Sequence, residues 1–222
     1  MTRPYALFVL TALFTAVSVD VPSRYLPWAP VELTEPAGPF TSMKLSRLRG
    51  DTALCESALS RAGVSFTRLT DDGTKECPLQ SMTSLRQSKY PYSAPVRGEC
   101  ALTAALVMWE NHAVSEAAAL HLSSQVKSIQ HLGVFSCRNV RNSSRRSQHA
   151  QANAIDIAAF TLADGQTISV KRDWDKQTEE GRFLRDVHAR SCGIFRGVLG
   201  PEYNALHQDH FHLDLGPYRI CR

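Results

Sequence analysis

Two short stretches near the C-terminal end of the chain constrain its fold and its chemistry most. The first, residues 147–156, reads SQHAQANAID and separates His149 from Asp156 by six residues. The second, residues 207–214, reads HQDHFHLD and contains three of the chain's eight histidines. Two imidazoles and one carboxylate, with a fourth position left to water, form a catalytic zinc site rather than a closed structural one. Together the two stretches predict one bound zinc ion.

The second stretch also has the alternation of a half-buried strand. Residues two apart in a strand point to the same face, so a strand over residues 210–215 sorts its side chains into two rows. A buried polar row is unfavourable unless it is paired or binds a metal. The same holds for Asp156, which lies between Ile155 and Ile157 in an apolar segment. The polar row consists of His210, His212 and Asp214, and the apolar row of Phe211, Leu213 and Leu215.

Helical patterns dominate the first half of the folded chain and strand patterns the second. Apolar spacing predicts helices over residues 51–61, 101–111, 115–130 and 179–191. Strands are expected over residues 64–69, 134–138, 154–162, 167–171 and 210–215, with a hairpin turn at residues 163–166. This order indicates one α+β domain over residues 44–222, in which a small antiparallel sheet carries the zinc site and packs against N-terminal helices.

The N-terminus has the pattern of an export segment. Residues 1–19 place Arg3 before an apolar run that is shorter than a full membrane span of about 20 residues. The run is typical of a signal peptide, and an uncleaved anchor in the inner membrane is the alternative. Residues 20–43 contain five prolines and are expected to form an extended linker. The domain is therefore predicted to lie in the periplasm or cell envelope.

The six cysteines favour disulfide bonds. None of them forms a C-x-x-C pair, which disfavours a thiolate zinc knuckle or a redox motif. An even number of cysteines behind an export signal is typical of an oxidising compartment. Six cysteines allow about 15 pairings, and the sequence does not choose among them.

The charged residues and the motifs of the sequence indicate which binding partners and enzyme classes are expected. Four arginines, at positions 138, 141, 145 and 146, form either a solvated loop or a surface that faces an anionic polymer such as cell wall. The chain has no nucleic-acid-binding motif, so nucleic acid is not expected as a partner. It also lacks the G-x-S-x-G nucleophile elbow, which disfavours a serine hydrolase.

The two stretches resemble the motifs of a known group of peptidases. Residues 147–156 are similar to the S-x-H-x-x-G-x-A-x-D motif of D-alanyl-D-alanine metallopeptidases, which share a fold with lysostaphin-type peptidases and the hedgehog domain. Residues 209–212, DHFH, resemble the E-x-W-H or H-x-H element of that group. A closer resemblance, over residues 133–140, 149–157 and 200–212, is to the extensin-like C-terminal family of exported bacterial proteins.

The resemblance implies roles for individual residues. The zinc ligands would be His149, Asp156 and His212. His210 would lie beside the metal and steady the developing oxyanion, and Asp209 would be the general base. Arg138 would bind a substrate carboxylate or carbonyl. His207 and Asp214 are candidates for orienting the ligand imidazoles.

Two positions depart from the resembled motif. Ala152 stands where the motif has glycine, and Asp209 stands where it has glutamate, a side chain one methylene longer. A regular strand would point Asp209 away from His210 and His212, so a catalytic Asp209 requires an irregular backbone at Gln208 and Asp209.

These inferences predict an exported zinc-dependent hydrolase, a peptidase or amidase that acts on peptidoglycan or its stem peptides. The N-terminal segment is expected to contact the membrane. The alternative is a non-catalytic, zinc-stabilised module that binds cell wall or an envelope partner, and the shortened side chain of Asp209 favours it. The remaining histidines, at positions 112, 121, 131 and 188, are interpreted as structural or surface residues.

Overall fold

A computed structural model describes residues 21–222 of the chain. The predicted signal peptide or anchor, residues 1–19, lies outside the described residues. Within residues 21–222 no helix is long and apolar enough to cross a membrane.

The helices lie mainly in the first half of the described chain. Their bounds are α1 Thr41–Arg47, α2 Thr52–Arg61, α3 Cys100–Trp109, α4 Ser115–His121, α5 Val170–Asp173 and α6 Glu179–Ser191. Asp51 caps α2, because its side chain accepts a hydrogen bond of 2.9 Å from the Leu54 N–H. All ten residues of α3 are buried, so this helix forms the centre of the helical layer.

The strands form two sheets. Their bounds are β1 Ser65–Arg68, β2 Met82–Gln87, β3 Arg97–Glu99, β4 Val126–Gly133, β5 Ala154–Leu162, β6 Thr167–Ser169, β7 Gly197–Leu199, β8 Phe211–Asp214 and β9 Ile220–Cys221. The first sheet has the order β1-β2-β3, and the second has the order β4-β5-β8-β7-β9 with β6 also paired to β5. The second sheet is antiparallel except between β7 and β9. The predicted α+β class is confirmed.

The pairing of β5 with β8 positions the two sequence stretches. Their antiparallel register sets Asp156 opposite His212. The neighbouring Ile155 and Leu213 are fully buried and point into the core. Because side chains alternate along both strands, this register brings Asp156 and His212 to the same face, away from the apolar core.

One predicted helix is wrong in its second half. Residues 115–130 form α4 only as far as His121, and β4 begins at Val126. Val126 and Ile129 are buried, as the helical interpretation required, but they pair with Leu162 and Phe160 of β5. Their β-branched side chains suit this strand, and pairing with a distant segment overrides the local helical spacing.

Two further segments differ from the expectations. Residues 134–138, expected as a strand, are irregular, although Val134 is buried. The proline-rich segment does not extend away from the domain, because Val31 and Leu33 are 5% and 2% exposed and belong to its core.

Disulfide bonds join all six cysteines. The pairs are Cys55–Cys100, Cys77–Cys137 and Cys192–Cys221. The prediction of disulfides is therefore confirmed, and the structure supplies the pairing. The second bond links the loop between β1 and β2 to the segment that precedes His149.

Candidate metal centre

Three potential ligand atoms meet where β5 and β8 lie side by side. His149 Nε2 lies 3.2 Å from Asp156 Oδ1 and 3.1 Å from His212 Nδ1. The third side of this triangle, from His212 Nδ1 to Asp156 Oδ1, measures 3.1 Å. Ligand atoms bound at about 2.0 Å to a tetrahedral zinc ion lie about 3.3 Å apart. The triangle therefore has the size that such an ion requires.

His149 enters the site from the loop before β5, and its ring is held from behind. It lies in the short 3-10 turn Gln148–Gln151 and is 3% exposed. Its Nδ1 donates a hydrogen bond of 2.8 Å to the Val134 carbonyl, which leaves the Nε2 lone pair facing the other two ligands. The turn ends at Ala152 in the left-handed conformation, with φ 51°. Ala152 therefore adopts the left-handed conformation that glycine, the residue of the resembled motif, adopts more easily. For alanine this conformation costs roughly 1 kcal/mol of conformational free energy.

His212 is oriented by a carboxylate on its own strand. Its Nε2 donates to Asp214 Oδ2 over 2.9 Å, so that Nδ1 faces the triangle. The Gly216 N–H in turn donates to Asp214 Oδ1 over 2.6 Å. Gly197 on β7 leaves the space that the Asp214 carboxylate occupies, because a Cβ at that position would overlap it. Asp214 therefore holds the His212 ring in one orientation.

Asp156 and His212 shift each other's pKa in opposite directions. Burial opposes ionisation of Asp156, but hydrogen bonds and charge from His149 and His212 outweigh it and hold the Asp156 pKa well below its usual range. Burial also disfavours the His212 cation, but Asp156 and Asp214 outweigh that effect and raise the His212 pKa to about 9. The set therefore attracts positive charge, and a bound cation would compete with a proton at His212.

The donor set fits zinc on its chemistry. Two imidazole nitrogens and one carboxylate oxygen are ligands that zinc accepts, and three protein ligands leave one position open. Partners of both imidazoles, the Val134 carbonyl and the Asp214 carboxylate, fix which nitrogen is free. Residues that orient ligand imidazoles in this way are typical of zinc sites.

His210 and Asp209 form a pair at the edge of the triangle. The chain turns at Gln208 and Asp209 before β8 begins, so the backbone is irregular at the two positions where a catalytic Asp209 would need it to be. His210 Nδ1 donates to Asp209 Oδ1 over 2.8 Å, and His210 Nε2 lies 3.6 Å from Asp156 Oδ1. The Asp209 side chain is 44% exposed and that of His210 only 13%. His210 is thus the member of the pair that faces the ligand atoms.

His207 extends the histidine cluster toward the surface. Its ring lies 5.3 Å from that of His210 and 6.0 Å from that of His212, measured between centroids. Its Nδ1 donates to Asn204 Oδ1 over 2.8 Å. Burial, followed by the neighbouring imidazoles, lowers the His207 pKa to about 4, so this ring is neutral. The exposed ring of Tyr203 lies 5.4 Å beyond it.

Arg138 lies at the rim of the site rather than in it. It is exposed, and its positive charge is one of the influences that lower the pKa of His207. The structure therefore brings the two predicted imidazole ligands, Asp156 and the Asp209–His210 pair into contact, with Arg138 nearby but outside that contact set.

A second group of ligand-type residues occurs in the described part of the chain. His188, Cys192 and Cys221 offer donor atoms within 4.8 Å of one another. The two sulfurs are joined in a disulfide bond, and His188 Nε2 lies 3.1 Å from the Arg222 carbonyl. These contacts are consistent with the interpretation of His188 as a structural residue.

Some groups that shape the centre were not identified from the sequence. The Val134 carbonyl and Asn204 act through backbone position or a single hydrogen bond, and neither leaves a pattern in the sequence. Gly197 and Gly216 do carry a signal, because glycine near a strand often marks a close approach by another group. That signal does not say that the approaching group is Asp214.

The comparisons with known proteins give one match. The family model described as extensin-like protein C-terminus matches residues 53–222. No curated protein and no solved structure matches the chain.

Proposed function

The chain belongs to the extensin-like protein C-terminus family, and we propose that it is an exported zinc-dependent hydrolase, a peptidase or amidase acting on bacterial peptidoglycan or a related envelope substrate. The observation that carries the proposal is the triangle of ligand atoms from His149, Asp156 and His212, with sides of 3.1–3.2 Å. A likeness to the fold of D-alanyl-D-alanine metallopeptidases is part of the proposal and rests on the motif resemblance.

In this proposal His149, Asp156 and His212 would hold zinc, and a set of three protein ligands would leave one position for the reaction. When bound, zinc would supply a Lewis acid and lower the pKa of a coordinated water toward about 7. The protein's own contribution is to keep both imidazoles in one tautomer and orientation through Val134 and Asp214.

His210 is the side chain best placed to move a proton. Because its Nδ1 donates to Asp209, the neutral ring has its lone pair on Nε2, on the side of the ligand triangle. His210 Nε2 takes the proton of the attacking water and returns it to the leaving amine. Asp209, which the motif resemblance makes the general base, then acts by fixing the His210 tautomer and stabilising its cation.

Arg138 is proposed to bind the substrate. Its side chain is exposed, its positive charge helps to lower the His207 pKa, and its guanidinium can form paired hydrogen bonds with a carboxylate. A stem peptide with a free carboxylate would thus be held with its peptide bond near His210.

A second candidate is a non-catalytic module that zinc stabilises and that binds cell wall or an envelope partner. The observation that favours it is the engagement of Asp209, whose carboxylate is bonded to His210 and is partly exposed to solvent. In that case the Asp209–His210 pair would be a polar contact for the partner rather than a proton-transfer pair.

The proposed location is the periplasm or cell envelope. Three disulfide bonds, which are typical of oxidising compartments, support it. Cell fractionation tests this part, and recovery of the protein with reduced thiols in the cytosol would contradict it.

The activity is tested on protein purified without chelator. Elemental analysis should find one zinc ion per chain, and incubation with purified peptidoglycan should release new amino groups, measured by chromatography of the soluble fragments. Chelator should abolish the release, and added zinc should restore it. Full zinc occupancy without cleavage of several wall substrates would instead support the binding module.

A further inference from the structure

The segment between β4 and His149 is a hairpin rather than an open loop. We call residues 136–147 the arginine hairpin. Its two arms are joined by an antiparallel bridge between Asn139 and Arg146 and by a hydrogen bond of 2.9 Å from the Val140 N–H to the Arg145 carbonyl. The tip turns through Asn142, whose φ is 59°. These bonds give the segment a defined shape.

The hairpin carries concentrated and unpaired positive charge. Its four arginines, at positions 138, 141, 145 and 146, are exposed, and within residues 21–222 none has a carboxylate at salt-bridge distance. The sequence contains no aspartate or glutamate between Glu116 and Asp156. Arg145 lies over the exposed ring of Tyr218, with its guanidinium carbon 5.4 Å from the ring centroid. Four like charges this close repel one another, and an anionic partner would relieve that repulsion.

Both ends of the hairpin are attached to the candidate metal centre. The Ser136 N–H donates to the His149 carbonyl over 3.1 Å, and Ser147 leads directly into the turn that carries His149. The Cys77–Cys137 disulfide bond fixes the first arm to the loop between β1 and β2. A polymer that binds the hairpin is therefore held at a constant position relative to the ligand triangle.

We propose that the arginine hairpin is a docking surface for the free carboxylates of peptidoglycan stem peptides. This inference rests on the proposed function, because a partner held beside a hydrolytic site must carry both the negative charge and the bond to be cut. Stem peptides carry both on one chain, whereas a membrane surface carries only the charge. Arginine suits this role, because its planar guanidinium pairs with carboxylates through two parallel hydrogen bonds.

The test measures binding alone, by co-sedimentation of the zinc-loaded protein with purified peptidoglycan sacculi. A variant with Arg141→Gln, Arg145→Gln and Arg146→Gln loses three charges at the hairpin. The matched control loses three exposed charges elsewhere, through Arg86→Gln, Lys127→Gln and Arg182→Gln. Zinc content and melting temperature of each variant report whether it is folded.

The unmodified protein and the control should bind sacculi alike, and the hairpin variant should bind about tenfold more weakly at low salt. Binding of the unmodified protein to sacculi whose carboxylates have been amidated should be weakened to a similar degree. Equal binding by both variants, unchanged binding after amidation, or no binding by the unmodified protein would overturn the inference. Binding to anionic lipid vesicles but not to sacculi would overturn it as well.

The outcome is separable from that of the proposed hydrolase. Salt-dependent binding without cleavage would support the docking surface and contradict the proposed hydrolase activity. Cleavage together with equal binding by the hairpin and control variants would support the hydrolase activity and contradict the docking surface.

Discussion

Asp156 in the second sheet and Glu110 in the helical layer are both carboxylates withdrawn from solvent, and their surroundings differ in kind. Asp156 Oδ1 lies 3.1–3.2 Å from ring nitrogens of His149 and His212. Glu110 accepts hydrogen bonds from the hydroxyls of Tyr92 and Ser88, over 2.7 and 2.9 Å, and among residues 21–222 none of its hydrogen-bond partners is a cation.

The difference appears as opposite pKa shifts. Burial raises the Glu110 pKa to about 7, because hydrogen bonds from neutral groups only partly offset desolvation. Burial acts on Asp156 in the same direction, but the two imidazoles reverse the result and lower its pKa. Asp156 is therefore a negative charge with two further potential ligands beside it, whereas Glu110 accepts hydrogen bonds from neutral groups, among them the Lys89 N–H of the backbone.

The largest effect should follow from removing both imidazole ligands. His149→Ala combined with His212→Ala leaves one carboxylate, which cannot hold zinc by itself, so bound zinc should fall from one ion per chain to none. Elemental analysis measures this. Glu110→Gln is the control and should keep its zinc. Stoichiometric zinc in the double variant would contradict the assignment of the metal site to Asp156 and its two imidazole neighbours.

Replacing His210 should separate catalysis from metal binding. His210→Gln keeps a polar side chain of similar reach but removes the proton acceptor, so cleavage should fall by about a hundredfold or more with zinc content unchanged. Initial rates on a soluble stem peptide give the measurement. If the rate is unaltered, His210 does not transfer the proton.

Replacing Asp209 should have a smaller effect. Asp209→Asn keeps the shape of the side chain but removes the negative charge that orients His210 and stabilises its cation. Loss of an orienting group lowers activity by about 10- to 100-fold. The same peptide assay applies, with zinc again retained. A larger loss here than in His210→Gln would return the role of general base to Asp209 itself.

The last prediction concerns stability rather than activity, namely the pH dependence of unfolding at Glu110. The folded state holds the Glu110 proton up to a pH of about 7, whereas the unfolded chain releases it near its ordinary pKa of 4.5. The free energy of unfolding should therefore fall with rising pH between these values, by about 1.4 kcal/mol per pH unit.

Glu110→Gln has no such proton to lose, so its stability should change less between pH 5 and pH 8, which spans most of the interval from pH 4.5 to about 7 in which only the folded state holds that proton. Urea unfolding at both pH values measures the change, with exposed Glu76→Gln as the control. Parallel pH profiles for the Glu110 variant and the unmodified protein would show that Glu110 is not the group responsible.

Several elements could be predicted from local patterns. The strand over residues 154–162 and the helix over residues 179–191 have the predicted bounds, because each carries its full apolar pattern within its own length. The helix predicted over residues 115–130 failed after His121, since Val126 and Ile129 fit a helical stripe and a strand equally well. Only pairing with β5 distinguishes the two.

The proline-rich segment illustrates the same limit. Its composition predicts an extended linker, and the prolines do prevent a long helix there. Composition does not reveal that Val31 and Leu33 find an apolar surface elsewhere in the domain.

What the sequence by itself determined is the set of donor groups: Asp156 and His212 in strand patterns, His149 shortly before one of those strands, and cysteines suited to disulfide bonds. These follow from residue type and from spacing along one segment, which are local properties. Only the tertiary structure decided that Asp156 lies opposite His212, that Val134 and Asp214 select the free ring nitrogens, and that His210 rather than Asp209 faces the ligands. Those relations depend on the register between strands more than 50 residues apart, here 56 between Asp156 and His212, and that register is set by burying the apolar faces of both strands.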